Sequence, residues 1–233
     1  MPVHNLTRAV IRWRMLFRRK RRFPLSDLCS TYSPAFIAEH VEAGDSTDEY
    51  KHARLLQYLV MHGAAVFINN DLNPKVNDVW SWSPSILTDK NKDVITAETI
   101  LWLCFLMERF WIADNDHERR ERVGAFTLYA ADKLCVHTVS RVTRVNFRDR
   151  ALDGRRHYLN AERDTGDTMG AFIGRLLASA DNRTLADRPK TAYLADTSRT
   201  PFRTQICLSA AVSSFFPAVP NAIYETFTKS LRE

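Results

Sequence analysis

The chain contains 233 residues, of which 45% are hydrophobic, and carries 33 basic and 27 acidic side chains. A chain of this length and apolar content can bury a substantial core as a single domain. Four cysteines without a CxxC pair argue against a disulfide framework and a zinc site, and the best candidate for a membrane span, Ile100–Met107, is too short to cross a bilayer.

The positive charge is concentrated at the N-terminus. Eight cations and no acidic residue precede Asp27, the first acid in the chain. Removing these eight cations leaves 25 basic against 27 acidic residues, so the rest of the chain has a net charge of −2. Charge asymmetry of this kind is typical of a segment that binds a polyanion. The predicted polyanion-binding residues are Arg8, Arg12, Arg14, Arg18, Arg19, Lys20, Arg21 and Arg22.

The same segment has helical periodicity. Leu6, Val10, Trp13 and Phe17 recur at spacings of four, three and four residues, which places them on one face of a helix. Pro24 ends the pattern. We therefore predict a basic amphipathic helical arm over residues 1–24, with those four apolar side chains as its docking face, and a helical globular domain over 25–233.

The sequence after the arm predicts a mainly α fold, an irregular multi-helix globular domain. Ser33-Pro34 begins a helix that ends before Gly44, and Ser46 or Thr47 caps a second helix that ends at Gly63. Residues 64–88 contain a β-like run, an Asn-Pro turn and two alternating tryptophans, which predict a short β-hairpin. The core stripe of the second helix comprises Leu55, Leu56, Leu59 and Val60.

The later elements are read in the same way. Thr96 caps a helix over Ala97–Ala113 that is apolar nearly all round and is therefore predicted to be the central buried element. Asp116 opens a long helix in which valines recur every third residue from Val136, so a strand is an open alternative there. A polar connector over 148–168 is followed by helices near 169–180, 203–216 and 221–232.

Candidate catalytic and metal-binding groups are sparse. Glu49 with His52 and Asp114 with His117 have the carboxylate-x-x-His spacing of di-metal helical bundles, but a chain with 27 acids and seven histidines yields about one such pair by chance. The sequence contains no Gly-x-Ser-x-Gly motif, no P-loop and no dinucleotide fingerprint. We therefore predict no bound metal, no cofactor and no enzymatic activity.

Two further patterns concern packing and surface charge. Gly166, Gly170, Gly174 and Ala178 recur every four residues, which predicts a close crossing of two helices within the body, with a contact to a partner subunit as the alternative. A group of arginines around the polar connector predicts a secondary basic surface, which would extend the positive face of the arm if the two fold side by side. This group comprises Arg141, Arg144, Arg148, Arg155 and Arg156.

These features predict a non-catalytic structural or accessory subunit of a larger protein complex, whose arm binds structured RNA in a ribosome-like ribonucleoprotein. The first alternative is an accessory subunit of a membrane complex, without a transmembrane span, whose arm is an interfacial helix on an anionic membrane surface. The second is an enzyme of unknown reaction with the arm as a targeting sequence. The arginine-rich, acid-free arm favours a mitochondrial location over the nucleus or cytoplasm, and the scattered cysteines argue against secretion.

Overall fold

The computed structural model describes residues 48–113, 146–180, 201–216 and 218–231, together with His117, Ala130 and Val136. Every regular element within these ranges is helical, so this part of the chain is mainly α, as the sequence predicts. The arm, the helix predicted over 34–43 and most of the long helix predicted after Asp116 lie outside the described residues. The α-helices are α1 (Asp48–Val66), α2 (Lys92–Ala113), α3 (Phe147–Asp164), α4 (Thr168–Ala180), α5 (Phe202–Phe215) and α6 (Ala218–Ser230).

Helix α2 is the centre of the helical body. It packs against α1, α3, α4 and α6. Its side chains are buried on all sides, and Ile100, Trp102, Leu103 and Met107 are at most 1% exposed. A helix can be apolar on every face only when neighbouring elements cover every face. The prediction that this segment is the central buried element is therefore confirmed.

The start of α2 differs from the prediction that Thr96 is its N-cap. The helix begins at Lys92, and the Thr96 hydroxyl donates to the Lys92 carbonyl at 2.7 Å within the helix. The chain enters the helix through Asn91, whose side chain accepts from the Thr88 N–H at 2.7 Å and donates to the Ile86 carbonyl at 2.8 Å. The side chain of this buried asparagine thus fixes the turn that leads into α2, five residues before Thr96.

Helix α1 continues through Gly63, where the sequence predicts its end. A methyl group at Gly63 would lie 2.7 Å from Ile223 Cδ1 and 3.2 Å from Val219 Cγ1, both on α6. The glycine therefore permits α6 to approach α1 closely, and it does not stop the helix. A π-helical turn, Phe67–Asp71, follows α1 directly. The predicted core stripe is confirmed, since Leu55, Leu56, Leu59 and Val60 are all buried.

The prediction of a β-hairpin over 64–88 is wrong. The Asp71 carbonyl accepts hydrogen bonds from Trp80 Nε1 at 2.8 Å and from Asn77 Nδ2 at 3.0 Å. The Asn77 side chain also accepts from the Val79 N–H at 3.1 Å and so caps a short 3-10 helix, Asp78–Trp82. Side chains here satisfy backbone groups that a strand ladder would otherwise pair.

The polar connector predicted over 148–168 is also wrong, because most of it forms α3. Phe147, Ala151, Gly154 and Tyr158 follow one another at spacings of four, three and four residues and form the inner face of this helix. Two of these four residues are small, so the apolar stripe is narrow and the segment looks polar in the sequence.

Two glycines of the predicted four-residue pattern lie at helix ends. Gly166 has φ of 70° and ends α3, with its N–H donating to the Ala161 carbonyl at 3.0 Å. The Gly170 N–H donates to Asp167 Oδ1 at 2.7 Å, so Asp167 caps the start of α4. For these two glycines the predicted close helix crossing is wrong, and helix termination and capping explain them instead.

Helices α5 and α6 close the helical body. The segment Phe202–Ser230 is long and apolar enough to cross a membrane by length and composition, and 41% of the relevant window is buried within the body. It is divided at Phe216, which has extended backbone angles, and the residues on either side include the fully buried Leu208 and Phe227. Helix α6 begins at Ala218, earlier than the predicted start near residue 221, and Pro220 lies in its first turn.

Candidate functional site

A buried polar cluster lies where α2, α3 and α4 meet. Glu98 projects from α2 and is 1% exposed. Its Oε2 accepts a hydrogen bond from Arg175 Nε at 2.6 Å, and its Oε1 accepts from Arg175 Nη2 at 3.0 Å. Arg150 Nη1 donates to the same Oε1 at 2.7 Å. Arginines from α3 and α4 therefore converge on one buried carboxylate of α2.

Asp153 completes this group. Arg175 Nη1 donates to Asp153 Oδ2 at 2.9 Å. Asp153 follows Arg150 by three residues on α3, so both face the same side of that helix. We call these four side chains, Glu98, Arg150, Asp153 and Arg175, the Glu98 cluster. It contains two positive and two negative charges, so its formal charges cancel.

The residues around the cluster explain how it fits between three helices. A methyl group at Gly154 would lie 3.3 Å from Leu101 Cδ1 and 3.4 Å from Arg175 Nη2, so the glycine leaves room for the guanidinium. The Arg175 guanidinium carbon lies 5.9 Å from the centre of the Tyr158 ring. The Tyr158 hydroxyl is buried and has no hydrogen-bond partner among the described residues. Burial raises the pKa of Tyr158 well above its usual range.

Electrostatics keep the Arg175 guanidinium charged. Burial lowers the pKa of Arg175, but the negative charge of Glu98 and the hydrogen bonds that Arg175 donates to Glu98 and Asp153 raise it by more, so the net shift is upward. The pKa of His157, on the same helix as Asp153, is lowered by burial and by the positive charge of Arg175. The cluster therefore keeps Arg175 positively charged and favours the neutral form of the His157 imidazole.

This arrangement is suited to structure and not to chemistry on a substrate. Both oxygens of Glu98 are occupied by guanidinium donors, so this carboxylate is available neither as a general base nor as a metal ligand. Arg175 uses three of its nitrogens on two carboxylates, so it is not available to bind an external anion. The Glu98 cluster joins α2, α3 and α4. Because it is buried, removal of one of its side chains would leave an uncompensated charge on the others.

Within the described residues no group of three or more histidine, cysteine, aspartate or glutamate side chains is placed to hold a metal ion. His52 lies on α1 and His117 is exposed, but the side chain of Glu49 and the whole of Asp114 lie outside the described residues. Among the cysteines, Cys207 is buried, and its thiol donates to the Val79 carbonyl at 3.2 Å.

An exposed apolar surface lies at the start of α5. The Ser83 and Thr204 hydroxyls share a hydrogen bond of 2.6 Å, which joins the end of the 3-10 helix to the first turn of α5. On either side of this bond the chain exposes Trp82 at 77%, Phe202 at 74% and Ile206 at 51%. Exposed aromatic side chains of this size are common in surfaces that bind partners.

The predicted secondary basic surface divides into three parts in the structure. Arg141 and Arg144 lie outside the described residues. Arg155 forms an ion pair with Glu108 of α2. Arg148 and Arg156 are exposed on α3 and have no carboxylate partner among the residues that the structure describes. Of the α3 arginines, these last two are the ones that form no ion pair with a residue in the described ranges.

The arm cannot be placed, because residues 1–47 lie outside the described ranges. Its predicted polyanion-binding cations and its predicted apolar docking face, Leu6, Val10, Trp13 and Phe17, therefore stay predictions.

The sequence contains a signal for the Glu98 cluster that periodicity alone does not reveal. Glu98 is an isolated acid in a long apolar helix, and Arg175 is an isolated cation in another. A charge in an apolar helix needs a partner of opposite sign when it is buried. Neither residue identifies its partner, since 77 residues separate them in the chain.

No protein-family model matches the sequence, and comparisons with curated proteins and with solved structures found no significant similarity.

Proposed function

We propose that this protein is a non-catalytic helical subunit of a larger assembly and that residues 8–22 bind structured RNA. The observation that carries the proposal is the division of charge. Eight cations and no acid precede Asp27, whereas the rest of the chain has two more acids than cations. A segment with this charge is attracted to a polyanion, because phosphate contacts neutralise it and release counterions.

The ion pairs of the helical body support the same assignment. Arg150 and Arg175 are bound to Glu98, Arg155 pairs with Glu108, and Arg109 pairs with Glu162 at 3.1 Å. These arginines are neutralised within the fold, so most of the positive charge of α3 and α4 is not available to RNA. On these two described helices, Arg148 and Arg156 are left without a carboxylate partner, far fewer cations than the eight of the arm.

The type of cation in the arm favours phosphate. Seven of the eight cations are arginine and one is lysine. The planar guanidinium can bind a phosphate through two parallel hydrogen bonds and can stack on unpaired bases. The location we propose for such a subunit is mitochondrial, because an arginine-rich, acid-free amphipathic segment resembles a transit sequence.

The test is RNA binding by the full-length protein as a function of salt. About six phosphate contacts give a slope of about −4 to −5 in a plot of log affinity against log salt concentration. Replacing the eight arm cations by glutamine should abolish this binding. The matched control, Arg148→Gln with Arg156→Gln, removes exposed cations from α3 and should preserve most of the affinity. A slope near zero, or full affinity after neutralisation of the arm, contradicts the proposal.

A membrane role for the arm is the second candidate, and the apolar stripe supports it. In an interfacial helix, Trp13 and Phe17 would enter the lipid while each cation contributes about 1 kcal/mol near an anionic surface. Trp13→Ser with Phe17→Ser should abolish binding to anionic vesicles in that case. If the same double variant retains RNA binding with its salt slope unchanged, RNA is the relevant polyanion. Vesicle binding that survives this change excludes the interfacial helix.

A further inference from the structure

Helix α3 exposes a row of three side chains, Arg148, Leu152 and Arg156, which we call the α3 row. They are four residues apart, so they form one line along the helix surface over about 12 Å. Leu152 is 68% exposed, and both arginines are exposed. Leucine is normally buried, and a single exposed leucine has little significance by itself. Here it lies between two cations on the same line.

Neither arginine of the α3 row forms an ion pair with a residue that the structure describes. Farther along α3, Glu162 pairs with Arg109, and Asp164 pairs with Arg163 at 2.7 Å. Asp149, next to the row, accepts a hydrogen bond from the neutral Asn146 amide and keeps its negative charge. Two arginines and one aspartate thus leave a net positive charge at the row, which an acidic partner can compensate.

We propose that the α3 row binds an acidic amphipathic helix of a partner protein. Such a helix would place an apolar side chain on Leu152 and carboxylates on Arg148 and Arg156, one turn to either side. Charge complementarity selects an acidic partner. The central leucine selects a protein surface over a phosphate backbone, because an apolar side chain has no hydrogen-bond donor for phosphate. Burial of a leucine and two arginine–carboxylate contacts together provide specificity for this pattern.

This inference concerns α3, and it does not depend on RNA binding by the arm. A subunit of a larger assembly needs contacts with its neighbours, and the α3 row would provide one of them. Neutralisation of the arm should therefore remove RNA binding without changing the effect of substitutions in the α3 row. The two proposals can fail separately.

The test uses the full-length protein and a labelled designed peptide. The peptide is an amphipathic helix with leucines along one face and glutamates four residues before and after each central leucine. Binding is measured by fluorescence anisotropy at physiological salt. Leu152→Ser and Arg156→Glu should each weaken binding about tenfold, since a leucine side chain contributes about 1.5 kcal/mol or more when buried.

Matched controls separate the α3 row from general effects. Phe202→Ser removes an exposed apolar side chain from α5, and Arg203→Glu makes the same charge change at an exposed site. Each should change the affinity less than twofold. The unmodified protein and the four variants are all compared with the eight arm cations replaced by glutamine, so that the arm does not bind the acidic peptide. A peptide with lysine in place of glutamate should bind the Arg156→Glu variant better than it binds the unmodified protein.

Three results would overturn the inference. One is equal weakening by Leu152→Ser and Phe202→Ser, and another is equal binding of the glutamate and lysine peptides by the unmodified protein. The third is a variant pattern in which Arg156→Glu lowers the affinity for duplex RNA or anionic vesicles while Leu152→Ser affects no ligand. That pattern would assign the α3 row to a polyanion surface.

Discussion

The substitution Glu98→Gln tests the Glu98 cluster directly. Glutamine keeps the size of the side chain but removes the negative charge that two buried guanidiniums share. Arg175 and Arg150 would then lose the carboxylate that they contact at 2.6 to 3.0 Å. The side chains of these two arginines are only 9% and 14% exposed, so water cannot readily replace the lost partner.

The expected cost is large because the substitution leaves buried positive charge uncompensated. Removing one partner of a buried ion pair typically destabilises a protein by about 3 to 5 kcal/mol. Asp153 stays in contact with Arg175 and compensates part of its charge, so we expect about 3 kcal/mol rather than the upper limit. With a urea m-value of about 2 to 3 kcal/mol/M, the unfolding midpoint should fall by about 1 M or somewhat more.

Urea unfolding followed by circular dichroism measures this change. The matched control is Glu108→Gln, which makes the same substitution on the same helix and also removes an arginine contact. Arg155, the partner of Glu108, is 51% exposed, so its loss of a carboxylate should cost no more than about 1 kcal/mol. The two variants differ mainly in the burial of the arginines that they affect.

Two results would refute this reasoning. The structure indicates that the arginines of the cluster are desolvated. If Glu98→Gln lowers the free energy of unfolding no more than Glu108→Gln does, they are not. A triple replacement of Glu98, Arg150 and Arg175 by apolar residues of similar size should be much less destabilising than Glu98→Gln alone, because it removes the three most buried charges and leaves only Asp153, whose side chain is 37% exposed and can be hydrated. If the triple variant is the more unstable of the two, unpaired charge is not the cause of the loss.

Two further predictions concern other buried groups. Asp71 is half-buried, and burial raises its pKa to about 6. Ionisation of this carboxyl therefore lowers the free energy of unfolding. The loss is absent below about pH 4, grows as the pH rises, and is complete above about pH 6 to 7. Asp71→Asn should therefore stabilise the protein by about 1 kcal/mol at pH 8, after allowance for solvent screening, and have little effect at pH 4. Urea unfolding of both proteins at the two pH values measures the difference, and an equal gain at both pH values would contradict the assignment. Phe172 is fully buried and stacks on Trp102 at 4.1 Å between ring centres. Phe172→Ala should therefore lower the free energy of unfolding by about 3 to 5 kcal/mol. The control Phe202→Ala truncates an exposed ring and should lower it much less. Similar losses in the two phenylalanine variants would show that Phe172 is not packed in the core.

Local patterns in the sequence predict some helices of this protein and miss others. Helix α2 and its central position are predictable because nearly every residue between Ala97 and Ala113 is apolar. Helix α3 is not predicted, because its inner face uses Ala151 and Gly154 as well as two aromatic residues. Small residues carry little hydrophobic signal, yet they let helices approach closely. The segment 64–88 is misassigned because an asparagine and a serine side chain bond to its backbone, which sequence periodicity does not register.

The sequence by itself determined the separation of charge between an N-terminal basic segment and a nearly neutral remainder, because a charge count is a sum over residues and needs no coordinates. It also determined that the described part of the chain is mainly helical, since helical periodicity is a property of neighbouring residues. Only the tertiary structure decided which arginines are neutralised and which are exposed. Glu98 meets Arg150 across 52 residues and Arg175 across 77 residues. Such contacts depend on how helices pack, and this packing is set by many side chains acting together.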